Sequence, residues 1–179
     1  MTKQKNKLSW INFYIGLACV ISKKSPDSQT QHGCVITDKF NRVLGVGYNG
    51  FPRGANDSRL PNTRPEKYNW MFHSERNALA NCEHRPEGGI AYITGPPCNE
   101  CLYALHQHGI KQIYFGETKS NMIDEKMQKW CNEFIKETGI GYHAVEPNLS
   151  WLVSLGEEIA LNEEIEPSEE ISENHHLEG

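Results

Sequence analysis

The chain has 179 residues, 37% of them hydrophobic and 23% charged, with a formal net charge of −5. That length suits one domain with a real core, and no apolar run reaches the length of a membrane-spanning helix. Nine of the 23 acidic residues lie from Glu157 onward, where lysine and arginine are absent, so residues 1–156 carry 18 basic against 14 acidic groups. This mild positive surplus suits small anionic ligands and argues against a nucleic-acid-tracking protein, which needs a strong basic stripe.

Lys3, Lys5 and Lys7 precede an apolar run, a pattern easily mistaken for a secretion signal. The run is short and holds Asn12, and its residues Trp10, Phe13, Tyr14, Leu17, Val20 and Ile21 recur at helical spacing, which predicts an amphipathic helix over 10–21. Residues 34–37 and 42–48 are apolar-rich and joined by Asp38-Lys39-Phe40-Asn41, the signature of a hairpin. A loop rich in Pro, Asn and Arg follows over 50–69, and loops of that length are usually functional or disordered. A helix begins at 73–80, a strand runs over 90–94 to Gly95-Pro96-Pro97, and a helix opens at Cys98 with Leu102 and Leu105 facing the core.

Beyond it the pattern predicts a strand at 111–115 and a helix at 123–137 with Met127, Trp130, Phe134 and Ile135 on its apolar side. A last strand at 141–145, a weaker helix at 151–165 and a disordered acidic tail complete the chain. Strands alternating with helices after an initial hairpin predict a three-layer α/β/α sandwich around a mixed sheet of about five strands. Residues 1–156 would form the catalytic domain, and 157–179 a helix end and tail. Of six cysteines, two form a C-x-x-C and the others (Cys19, Cys34, Cys82, Cys131) lack regular spacing, so a reducing, cytoplasmic setting is expected.

The chemistry gathers in two short segments, His73-Ser74-Glu75 and Pro97-Cys98-Asn99-Glu100-Cys101. His73, Cys98 and Cys101 supply three zinc ligands and Glu75 an unspent carboxylate. A structural zinc site closes its shell with four protein ligands, whereas a catalytic one keeps a position open. Cys98 and Cys101, at i and i+3, share one helix face, and thiolates at a helix N-terminus gain from its dipole. His73 and Glu75, at i and i+2, would diverge on an ideal helix, so His73 must sit at the helix entrance if both serve one site. The pattern H-x-E…P-C-x-x-C marks zinc-dependent base deaminases. Zinc brings the pKa of bound water toward neutrality, and Glu75 would accept that proton, pass it to a ring nitrogen and protonate the leaving ammonia.

Beyond these motifs, Gly47-Tyr48-Asn49-Gly50-Phe51-Pro52-Arg53-Gly54 with Asp57, His73-Ser74-Glu75-Arg76-Asn77-Ala78 and Pro97–Cys101 followed by Gly109-Ile110-Lys111 resemble, in order, three segments of deoxycytidylate (dCMP) deaminases. The resemblance implies a cytidine deaminase-like fold and hydrolytic deamination of dCMP to dUMP, activated by dCTP and inhibited by dTTP. It implies a homo-oligomer, commonly a hexamer, while the charge balance and the short apolar runs predict no nucleic-acid or membrane partner. By similarity Glu75 is catalytic, His73, Cys98 and Cys101 hold zinc, and Asn49 contacts substrate. Gly47, Tyr48, Asn49, Gly50, Arg53, Gly54 and Asp57 match the effector-binding region, where a triphosphate with Mg2+ is expected within a loop spanning 47–69.

Ser74 stands where the family has alanine, and its hydroxyl would reach the bound water or the base. His32-Gly33-Cys34 replaces the usual Val-Gly-Ala by the pocket wall. For the substrate phosphate the sequence offers Lys119, against the plainer reading of a solvated lysine. The competing functions are a deaminase of another nucleotide or nucleoside base, and a non-catalytic nucleotide-binding protein that keeps zinc for folding. Glu75 and the open coordination position count against the last.

Overall fold

The computed structural model describes residues 7–117 and 124–161. The chain divides into two units, Met1–Pro147 and Asn148–Gly179. In the first, five strands form one mixed sheet: β1 (Gly33–Thr37), β2 (Val43–Tyr48), β3 (Ile90–Ile93), β4 (Gln112–Phe115) and β5 (Gly141–Ala144), in spatial order β2-β1-β3-β4-β5. β1 pairs antiparallel with β2 and β3, and β3, β4 and β5 run parallel. The hairpin reverses through Asn41, whose φ of 63° an asparagine tolerates better than most residues.

Alternation along the strands divides the core in two. Val35 and Tyr92 face α1 (Trp10–Ser22) and pack with Tyr14, Ile15 and Ala18. Cys34, Ile36, Ala91, Ile93, Ile113 and Phe115 face the other way, onto α2 (Ser74–Ala80), α3 (Asn99–Gln107) and α4 (Glu125–Thr138). This is the expected three-layer sandwich. Local signals set the helix ends: Ser9 accepts from the Asn12 N–H, Asp124 accepts from that of Met127, and α4 ends at Gly139 with φ 66°.

Three details differ from the periodicity. The 50–69 loop contains two short 3-10 turns, Asp57–Arg59 and Glu66–Asn69. On α4 it is Cys131 that is buried, while Trp130 stays 38% exposed and stacks on Phe134. A helix pays little to leave an indole edge in water when a neighbouring ring covers one face. α3 opens at Asn99, with Cys98, where the helix was expected to open, as its N-cap. The second unit is described over α5 (Ser150–Leu161), at whose foot the Asn148 side chain accepts from the Ser150 N–H at 3.1 Å. The rest of the helix expected at 151–165, the acidic tail and Lys119 lie outside the described residues. Among the described residues no helix is long and apolar enough to cross a membrane.

Candidate active site

Two helix starts meet at the site. His73 is the N-cap of α2, with extended backbone angles (φ −69°, ψ 151°), and so escapes the divergence that i, i+2 would impose inside the helix. Cys98 caps α3 in the same way (φ −69°, ψ 169°), and Cys101 lies one turn on, fully buried beside Leu102 and Leu105. The His73 Nδ1 stands 3.4 Å from each of the two sulfurs. Bonds of about 2.0 Å to nitrogen and about 2.3 Å to sulfur at a tetrahedral centre separate N from S by about 3.5 Å, so the three donors fit zinc.

Their chemistry fits it as well. The Cys98 thiol is drawn down to about 4 by the hydrogen bond from Cys101 and by His73, while the same pairing and burial push the Cys101 thiol up. Two adjacent thiolates repel, and a divalent cation is the partner that lets both ionise. Among the described residues this is the one group of three or more such ligands brought together. His106 and His108 belong to no such group.

Glu75 is 6% exposed and makes no part of the triad. Burial pushes its carboxyl above the usual range, opposed by the charge of His73 and by Ser74, whose hydroxyl donates to Glu75 Oε2 at 3.0 Å. The serine that departs from the family pattern thus reaches the acid. These groups line a cleft open to solvent, together with Asp27, His32, Asn49, Arg64, Lys67 and Tyr68. His32 lies 3.1 Å from Thr94 Oγ1, and burial, with the charge of His73 behind it, brings its imidazole down to about 4. It is neutral at physiological pH.

Of the seven residues matched to effector binding (Gly47, Tyr48, Asn49, Gly50, Arg53, Gly54 and Asp57), only Asn49 lines this cleft. Gly47 lies under α2, where a Cβ would meet Ala78 N at 2.3 Å and Ser74 O at 2.5 Å. The Tyr48 carbonyl accepts from Asn77 of α2, and Arg53 donates to Asn81 at its end. Gly50 exchanges two backbone hydrogen bonds with Phe72, next to His73. Gly54 sits at φ 83° in open space, and Asp57 starts the first 3-10 turn.

Sequence reasoning missed Asp27, Arg64 and Lys67. Lys67 and Asp27 pair at 2.6 Å with side chains 3% and 4% exposed. Arg64 donates through Nε to the Tyr68 hydroxyl and through Nη2 to Thr30 Oγ1, both at 2.8 Å. The one signal for them was the length of the 50–69 loop that carries Arg64 and Lys67.

The comparisons with known proteins agree with this geometry. Residues 8–117 match the family model of the cytidine and deoxycytidylate deaminase zinc-binding region. The chain is 33% identical to the human deoxycytidylate deaminase over 130 residues, 69% of this chain and 73% of that one. It is 30% identical to the mouse enzyme over 158 residues, 84% and 88% of the two chains. In fold it resembles a dCMP deaminase from the cyanophage S-TIM5, crystallised with dCMP and dUMP, at a TM-score of 0.58 and 20% identity, covering 74% of this chain and 94% of that one. Two helix caps that gather His73, Cys98 and Cys101 around a buried glutamate are thus what the matched region contributes, and the chain belongs to the zinc-dependent cytidine and deoxycytidylate deaminase family, as a hydrolytic deaminase.

Proposed function

We propose that the chain converts dCMP and water to dUMP and ammonia, with Glu75 as the catalytic residue and His73, Cys98 and Cys101 as zinc ligands. The observation that carries this reading is the buried Glu75 carboxylate, unspent, beside a three-donor cation site in a cleft. Zinc bound there supplies a polarised water that gives up a proton near neutral pH. Glu75 takes the proton of the attacking water and delivers it to the ring nitrogen beside the amine-bearing carbon. It then takes the proton of the newly added hydroxyl and passes it to the amine, so that the C–N bond breaks, the C=O bond forms and ammonia leaves. Its raised pKa suits a group that must both accept and return a proton. Ser74 donates its hydroxyl proton to the carboxylate at 3.0 Å and so steadies it.

Arg64 is the phosphate ligand in this reading. Tyr68 and Thr30 hold its guanidinium at the cleft wall and leave further N–H groups for an anion, a bidentate geometry suited to phosphate. Lys67 is not available for that task, because both Asp27 oxygens occupy its ammonium.

Regulation by dCTP with Mg2+ and by dTTP, through Gly47, Tyr48, Asn49, Gly50, Arg53, Gly54 and Asp57, rests on the family resemblance. It is supported by the Gly50–Phe72 pairing, which ties the loop to the residue before His73. A homohexamer belongs to the same reading. A cytoplasmic setting is supported by six cysteines that are all free thiols. The test is Glu75→Ala: zinc content stays at one ion per chain while dCMP turnover falls by about 10²–10⁴-fold. An active Glu75→Ala enzyme would remove Glu75 from the mechanism.

A further inference from the structure

Five hydrogen bonds converge on the Asp27 carboxylate, an unusual concentration for a group in a substrate cleft. Lys67 Nζ donates to both oxygens at 2.7 and 2.6 Å, and the backbone N–H groups of Gln29 and Thr30 reach Oδ1 at 2.8 and 3.0 Å. The fifth donor is the Asn49 side chain, whose Nδ2 lies 3.1 Å from Asp27 Oδ2. The second Asn49 N–H goes to the Thr30 carbonyl at 2.9 Å, and Asn49 Oδ1 accepts from the His32 N–H at 2.6 Å.

This arrangement allows one orientation of the amide. A flipped Asn49 would set its oxygen against the Asp27 carboxylate and its NH2 against the N–H of His32. With both donors spent, Asn49 keeps a single lone pair on Oδ1, so it meets a ligand only as an acceptor. A buried ion pair contributes little net stability, because desolvation offsets the attraction, so its presence here asks for another role.

We propose that the Asp27–Lys67 pair is a positioning element, which locks Asn49 as a hydrogen-bond acceptor toward a donor group on the nucleotide. The inference rests on the dCMP reading above. Lys67 keeps Asp27 ionised in the wall of the cleft, and the ionised carboxylate orders the Asn49 amide. Neither Asp27 nor Lys67 touches the reacting atoms.

The test is a double-mutant cycle on dCMP deamination by the zinc-loaded protein. It uses Asn49→Ala, the uncharged pair Asp27→Asn/Lys67→Met, and the three substitutions together. Asn49→Ala and the uncharged pair are each expected to lower kcat/KM about tenfold, the worth of one hydrogen bond, with the loss in KM. The triple variant is expected to match Asn49→Ala within about twofold, since both changes remove the same contact. Losses that multiply to about a hundredfold, or a pair variant with wild-type KM, would overturn the inference. A wild-type enzyme that leaves dCMP unchanged would overturn the functional reading and this inference with it. A measurement without substitutions guards against misfolding. The Asn49 side-chain amide protons should exchange slowly with solvent in the unliganded protein, and fast exchange would overturn the proposal.

Discussion

Replacing Gly47 with alanine is expected to damage the zinc site from behind. Gly47 lies on β2 directly beneath α2, and a Cβ there would stand 2.3 Å from Ala78 N, 2.5 Å from Ser74 O and 2.8 Å from Asn77 C. All three are backbone atoms, about 1 Å closer than an ordinary contact of about 3.5 Å. No side chain can swing aside, so α2 must shift by about that amount. The helix is stitched to β2 by Asn77 Nδ2 to the Tyr48 carbonyl and Asn81 Nδ2 to the Val46 carbonyl, at 2.9 and 2.8 Å. Overpacking of this kind costs about 1–3 kcal/mol, or about 2–12 °C in Tm for a chain of this size. Because α2 carries Glu75 and is capped by His73, a displacement of about 1 Å is expected to lower kcat about a hundredfold. Calorimetry, zinc content and dCMP turnover measure the three effects on one preparation. A Gly47→Ala protein with unchanged Tm and basal turnover that had lost only its response to dCTP would refute the packing argument and return Gly47 to effector binding.

The remaining expectations are more local. Arg64→Leu should raise KM for dCMP by about a hundredfold, the loss of a charge-assisted contact, while leaving turnover of deoxycytidine, which has no phosphate, within about threefold; equal losses on both would detach Arg64 from the phosphate. Arg76→Met removes the 3.1 Å bridge to Glu100 that ties the first turn of α2 to that of α3. Its exposure limits the stability cost to about 1 kcal/mol or less, but zinc release to a chelating dye should be several-fold faster, and an unchanged rate would rule out that role. His32, held near 4 in the folded protein against 6.5 in a free side chain, makes the unfolded chain the better proton binder between those values. Stability should therefore be complete above pH about 6.5 and fall by about 3 kcal/mol toward pH 4, a slope that urea titrations should find missing in His32→Asn.

The parts of the fold governed by local pattern were readable in advance. Leu102 and Leu105, spaced for one helix face from the C-x-x-C, are both fully buried. The conflict between His73 and Glu75 at i, i+2 correctly placed His73 at a helix entrance, because only non-helical dihedrals resolve it. Where tertiary packing chooses among apolar residues, periodicity misled at one position: on α4 Met127, Phe134 and Ile135 pack against the core as expected, but it is the small Cys131 that fills it while Trp130 stays 38% exposed. The Asp27–Lys67 pair was invisible for a different reason. Its partners are 40 residues apart, one in a turn and one in a long loop, and no periodic signal links them. Gly47 shows a third kind of loss. Its motif identified a glycine-rich segment, but only the position of α2 shows that no side chain fits there.

The most direct test of the central claim is dCMP deamination by the protein carrying one zinc per chain, followed by ammonia release, with deoxycytidine and cytidine alongside. Rapid turnover of dCMP, at least about a hundredfold above the nucleosides and lost on zinc removal, is the expected result. A zinc-replete protein that releases no ammonia from dCMP, or that favours a nucleoside, would contradict it.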